Sequence, residues 1–161
     1  MPWHVAGVPQ LGEPSLAERE RLSIVLLSGS FERVHYGLCM ASTAAALERP
    51  VTLFVTLGAL RALVAAAADG RPGWMGLPVA DEPAGSEVTD GGALDARNRA
   101  RGVAGFEELL QACATLSVEF MACEMGLRAL GLELDALRSD LGLQPGGLAT
   151  LLARGGQTVV L

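Results

Sequence analysis

The sequence predicts a single-domain, three-layer α/β fold with a mainly parallel sheet of about five strands. Continuous apolar runs, such as residues 22–27, have the length and composition of strands that are covered on both faces. Segments with helical periodicity follow these runs, and strand–helix alternation predicts right-handed crossovers between parallel strands. Half of the 161 residues are apolar, so one domain of this length can bury a substantial core.

The predicted elements justify this fold one by one. Residues 1–20 contain three prolines and predict an N-terminal arm, which leaves 21–161 as the α/β domain. The predicted elements are a strand at 22–27, a helix through 34–45, a strand at 51–56, an Ala- and Leu-rich helix at 58–68, a helix through 106–113, a strand at 118–122, a short helix near 125–130, a further helical turn around 134–141, a last helix opened by Gly146-Gly147, and a strand at 158–161. Between residues 69 and 98, Gly, Pro, Asp and Glu dominate without apolar periodicity, which predicts a long central loop.

Composition excludes several classes of function. The net charge of −6 argues against nucleic-acid binding, and the absence of lysine excludes lysine-centred chemistry. Three cysteines at unrelated spacings and two histidines predict no disulfide framework and no metal site. No segment has the sequence pattern of a signal peptide or of a membrane-spanning helix, so we expect a cytoplasmic protein. We also expect that it needs no cofactor.

Cys123 is the candidate reactive residue. It ends the apolar run that begins at Val118, and a helical pattern follows it directly. This places the thiol at the carboxyl end of a strand, where open α/β sheets hold their chemistry, and at a helix start, where backbone amides stabilise a thiolate. We therefore expect a sulfur atom at the sheet rim that faces water. The neighbouring carboxylate of Glu124 would oppose ionisation of the thiol.

The remaining candidates have stronger structural explanations. Cys113 lies on the apolar stripe of its helix and Cys39 near the edge of another, so a packing role is favoured over a role as a second thiol. The Ser28-Gly29-Ser30 turn could hold an anion or a nucleotide, but a tight turn with a capping serine is the favoured interpretation. His35 could face the carboxyl edge of the sheet, although a satisfied helix residue is favoured.

Three pieces of the chain resemble the DsrE/DsrF/DrsH-like sulfur-relay family, in particular its peroxiredoxin-like branch. They are LSIVLLSGSFERVHYGLCMASTAAALERPVTLFVTLGAL, FEELLQACATLSVEFMACEMGLRALGL and PGGLATLLARGGQTVVL, and the Ala122-Cys123-x-Met125 segment is the most specific part. The resemblance covers nearly all of 22–161. It departs where the family usually has Met-Ser-Met-Asp after the cysteine and this chain has Met125-Gly126-Leu127-Arg128.

The resemblance implies a flavodoxin- or Rossmann-like domain that forms homo-trimers or homo-hexamers. It also implies a sulfur carrier or sulfurtransferase that holds a persulfide on Cys123 and exchanges it with TusA-like or rhodanese-like partners. Arg128, about one turn into the following helix, would help to hold negative charge. The alternative is a non-catalytic oligomeric or regulatory module of the same fold, in which Cys123 is only packed.

Overall fold

A five-stranded parallel sheet organises residues 20–161, the part of the chain that the computed structural model describes. The predicted N-terminal arm, up to residue 19, lies outside the described residues. The strands are β1 (Leu22–Leu26), β2 (Val51–Val55), β3 (Glu119–Cys123), β4 (Gln144–Gly146) and β5 (Gln157–Val160). They lie in the order β4-β3-β2-β1-β5, and every pair is parallel, as predicted.

Helices connect these strands. They are α1 (Phe31–Ala46), α2 (Gly91–Ala100), α3 (Phe106–Thr115), α4 (Glu124–Leu130) and α5 (Leu148–Leu152). Short 3-10 helices lie at Leu57–Leu63, Gly73–Gly76 and Leu134–Ala136. No helix within residues 20–161 has the length and apolar character needed to cross a membrane.

The two faces of the sheet are covered unequally. Alternate side chains such as Ile24, Leu53 and Phe120 pack with α1 and α3 in the main core. The opposite face contributes a small separate cluster, which α5 covers through Leu151. The three layers of the predicted sandwich are therefore present, and one outer layer is thin.

Three sequence predictions needed correction. The stretch 69–98 is not all loop, because it contains the 3-10 helix Gly73–Gly76 and the start of α2, whose first turn is capped by the Asp90 side chain on the Ala93 amide. The segment predicted as a helix at 58–68 is the 3-10 helix Leu57–Leu63. The edge strand β4 has only three residues, one of them Pro145, and was not predicted individually.

α4 closely approaches the residues that directly follow β2, because it carries a glycine on its inner side. A Cβ added to Gly126 would lie 2.6 Å from the Leu57 amide nitrogen and 2.7 Å from Thr56 Oγ1. The first of these contacts is with backbone, which cannot move away cheaply. The position of α4, and with it the end of β3, therefore depends on this glycine.

We expect Gly126→Ala to lower the free energy of unfolding by about 2 kcal/mol, the typical cost of overpacking a close contact. Gly147→Ala is the matched control, because a Cβ there meets no atom within 4 Å. Urea denaturation followed by circular dichroism measures both. Equal stability of the two variants would contradict the close approach of α4 to Thr56 and Leu57.

Candidate functional site

Cys123 lies at the junction of a strand and a helix, as predicted. It is the last residue of β3 and the N-cap of α4, with extended backbone angles of φ −69° and ψ 119°. The strand ends here because the apolar run stops and helix-forming residues begin, and α4 ends at Gly131 in the left-handed conformation. The residue therefore stands at the carboxyl rim of the sheet, beside the end of β2.

The Cys123 side chain points to the thinly covered face. Alternation along β3 puts it on the same side as Met121, and the two pack with Val25, Phe54 and Leu151. Cys123 is only 2% exposed. The expectation of a sulfur atom that faces water is therefore wrong for the isolated chain, because α5 crosses over the rim where the thiol lies.

α5 is the cover of this site, and it is a small element. It has five residues, of which Leu151 is buried while Leu148 and Leu152 are exposed. Gly155 and Gly156 follow it with φ of 66° and 84°, a conformation that suits glycine and turns the chain into β5. A helix this short gains little stability from its own hydrogen bonds, so its position depends on side-chain contacts.

An ion pair just after the C-terminal end of α5 provides one of those contacts. The Arg154 guanidinium donates to Glu119 Oε2 on β3, and its Nη1 lies 3.3 Å from Thr52 Oγ1 on β2. Arg154 holds the pKa of the Glu119 carboxyl below its usual value of 4.5. Because the folded state favours the charged carboxylate, this contribution is present above about pH 4.5 and is lost as the pH falls through the lowered pKa.

The rim next to Cys123 contains a buried hydroxyl and a strained residue. Thr56 is 5% exposed, and its Oγ1 has no hydrogen-bond partner among the described residues. Leu57, the next residue, has φ of 46°, which is uncommon for a residue with a side chain. Strain and unsatisfied polar groups of this kind are concentrated at functional sites.

The Ser28-Gly29-Ser30 turn lies at the end of β1 on the same rim. Ser30 occupies the N-cap position of α1, but its side chain bonds no helix amide, so the predicted capping role is wrong. Its amide and hydroxyl instead contact Ser28 Oγ, each at 3.3 Å. Gly29 is required by its close approach to Gly58, since an added Cβ would lie 3.0 Å from the Gly58 carbonyl oxygen.

His35 and the other two cysteines lie on the opposite side of the sheet from Cys123. His35 is buried in α1, where Nε2 lies 2.9 Å from the Ala104 carbonyl oxygen and Nδ1 lies 3.8 Å from Cys39 Sγ. Both ring nitrogens have polar neighbours, so His35 is a satisfied helix residue, the favoured interpretation. Cys113 is fully buried and its thiol donates to the Leu38 carbonyl oxygen at 3.6 Å.

The environments of these two thiols do not favour ionisation. Burial raises the pKa of Cys39, and burial together with the nearby Cys39 raises the pKa of Cys113 to about 12. Both therefore remain thiols at neutral pH. Since they belong to the main core while Cys123 belongs to the opposite cluster, neither meets Cys123 within one described chain.

Glu124 and Arg128 are exposed on α4, and neither forms an ion pair with a described residue. The structure thus does not bring the two supporting charges onto the buried thiol. In residues 20–161 there is also no group of three or more His, Cys, Asp or Glu side chains arranged to hold a metal ion.

Sequence reasoning missed Leu151, which covers the thiol, and the ion pair that helps to hold α5 against the sheet. Leu151 and the Arg154–Glu119 pair come from segments that meet only after β4 connects to β5 across the sheet. The glycines that bracket the last helix were the available signal, since they indicate a short element between two tight turns.

No protein-family model matches the chain, and no curated protein sequence matches it. Its structure is similar to the crystal structure of the YchN protein from E. coli, with a TM-score of 0.54, 13% identity and coverage of 88% of this chain and 99% of that one. It is also similar to MTH1491 from Methanobacterium thermoautotrophicum, a protein of unknown function, with a TM-score of 0.51, 15% identity and coverage of 88% and 98%. The chain therefore shares the overall fold of these two proteins, which agrees with the predicted single-domain α/β architecture.

Proposed function

We propose that this protein is a sulfur carrier that holds a persulfide on Cys123 and passes it between partner proteins. The Cys123 thiolate attacks the outer sulfur of a persulfidated donor, a new S–S bond forms, and the donor leaves as a thiolate that takes up the proton lost by Cys123. Attack by an acceptor thiolate on the outer sulfur reverses the step. The exchange needs free thiols, so the proposal includes a reducing, cytoplasmic setting.

The observation that carries the proposal is the position of Cys123 at the sheet rim beneath a short, separable cover. Its backbone is the N-cap of α4, and the side chain that closes the site, Leu151, belongs to a five-residue helix. A small displacement of α5 is enough to open the thiol without unfolding the sheet. The apolar surroundings exclude water from the persulfide when α5 is in place.

Sulfur loading tests the proposal directly. We expect incubation with a polysulfide or a persulfidated rhodanese to add the mass of one sulfur atom to the intact protein, because Cys123 can accept it. Cys123→Ser should abolish the addition, whereas Cys39→Ser should leave it unchanged, and intact-mass spectrometry without reductant measures both. Loading that survives in Cys123→Ser would contradict the proposal.

Opening of α5 is tested by alkylation. We expect Arg154→Gln to increase the rate of Cys123 alkylation by about two- to fivefold at neutral pH, because a partly exposed ion pair contributes about 0.5–1 kcal/mol to closure. Arg33→Gln is the matched control, since Arg33 is exposed and forms no ion pair with a described residue. Peptide mass spectrometry gives the rate at each cysteine, and buried Cys113 reports global unfolding.

The burial of Cys123 specifically favours a second candidate, a non-catalytic oligomeric structural or regulatory module in which this thiol is part of the packing. The same experiment separates the two candidates. In a non-catalytic module, Cys123 is alkylated no faster than Cys113 in both the parent chain and Arg154→Gln, and it reacts quickly only after unfolding. Such a result, together with no sulfur loading, would replace the carrier proposal.

The face around α5 also supports association between chains. Large apolar side chains remain exposed there; they are Leu27, Leu148, Leu152 and Val160. Monomeric proteins rarely leave such side chains grouped on one surface. We expect a homo-trimer or homo-hexamer, and we expect TusA-like or rhodanese-like carriers to reach Cys123 from this side.

We expect the double variant Leu148→Gln, Leu152→Gln to shift the protein to smaller species, because it removes apolar contact area from the assembly. Leu47→Gln is the control, since Leu47 is equally apolar and 71% exposed but follows α1, on the other side of the sheet. Sedimentation velocity gives the mass of each. A parent chain that sediments as a monomer, or a double variant with unchanged mass, would contradict the predicted interface.

A further inference from the structure

A cavity of about 720 Å³ is separate from the Cys123 site, because none of its lining residues belongs to the apolar cluster that contains Cys123. It opens between α2, α3, the segment that follows the 3-10 helix Leu57–Leu63, and residues 138–140. Its apolar wall includes Val64, Met75 and Trp74, which is buried and stacked on Phe106 with ring centroids 4.9 Å apart. The volume is in the range of sites that hold small organic molecules.

Part of the charge in this cavity is already neutralised. Arg138 lies between two carboxylates: it donates to both oxygens of Glu107, and its Nε and Nη2 donate to Asp140, each at 2.7 Å. Trp74 Nε1 also donates to Glu107, at 3.1 Å. These hydrogen bonds occupy most of the guanidinium, so Arg138 has little capacity left to bind an anion.

Asp95 is different, because it is a buried carboxylate that forms no ion pair with any residue of the described range 20–161. It is 5% exposed, and its Oδ1 accepts the Phe106 amide at 2.7 Å. No described residue donates to its Oδ2 or forms an ion pair with it, and the side chain lines the cavity. A buried carboxylate is costly unless a cation or several donors compensate it.

The other charges around the cavity reinforce this imbalance. Glu108 uses one oxygen to accept the Gly105 amide at 3.3 Å, and its other oxygen has no described donor. Four carboxylates (Asp95, Glu107, Glu108 and Asp140) line the cavity against two guanidinium groups (Arg99 and Arg138), an excess of two negative charges. The field inside the cavity therefore favours a cation over an anion.

We propose that this cavity binds a small organic cation, in which an ammonium or guanidinium group pairs with Asp95 and an apolar body lies against the wall that includes Trp74 and Val64. Glu108 supplies the second negative group at the entrance. This site does not depend on the sulfur chemistry proposed for Cys123, and a separate experiment tests it.

A series of probes with one apolar body and three charges tests the proposal. Phenethylamine, phenethyl alcohol and hydrocinnamate are titrated into the full chain by isothermal titration calorimetry. We expect the amine to bind about tenfold more tightly than the alcohol, the effect of one charge-assisted hydrogen bond, and the carboxylate to bind most weakly. Equal affinities, or tightest binding of the carboxylate, would overturn the proposal.

Asp95→Asn locates the effect, because its amide oxygen can still accept the Phe106 amide while the charge is removed. We expect it to eliminate the tenfold preference for the amine over the alcohol, and Glu108→Gln to reduce that preference. Glu133→Gln is the matched control, since it removes the same charge at an exposed position that does not line the cavity. Retention of the full preference in Asp95→Asn would overturn the proposal, and Glu108→Gln keeps the test decisive should Asp95→Asn fail to fold.

Discussion

A parallel sheet carries apolar side chains on both of its faces, and both faces must be covered by the helices of its crossover connections. In this protein α1 and α3 cover one face with a continuous core, whereas α5 covers the other largely through Leu151. Cys123 lies under that thin cover. The Arg154–Glu119 pair and the exposed leucines of α5 are important because of this asymmetry.

The burial of Cys123 changes how a carrier of this kind would operate. An open thiolate reacts with any electrophile that reaches it, whereas a covered one reacts only when its cover moves. In the proposed carrier, the free energy of displacing α5 sets the rate of exchange, and a partner that binds the exposed leucines can lower that free energy. Selectivity then comes from docking as well as from the reactivity of the sulfur.

The sequence was informative where local pattern decides structure and uninformative where distant segments meet. β1 and β3 could be placed because their apolar runs are continuous, and the end of β3 located Cys123 at the rim. α2 could not be predicted from the sequence, because Leu94 is the main apolar residue that it buries. One such residue gives no helical periodicity of apolar positions. The burial of Cys123 could not be predicted, because α5 reaches it only through the long crossover from β4 to β5.

The pairing of β1 with β5 has a consequence for the order in which the protein is completed during synthesis. Leu22 is in register with Gln157, so β1, the first of the described strands to be made, gains one of its two neighbours only after Gln157 has been synthesised. Until then one side of β1 is an unpaired edge, and Cys123 is synthesised before the helix that covers it. A nascent chain on the ribosome therefore passes through a stage in which oxidants can reach the Cys123 thiol and the unpaired edge of β1 can pair with other chains and aggregate.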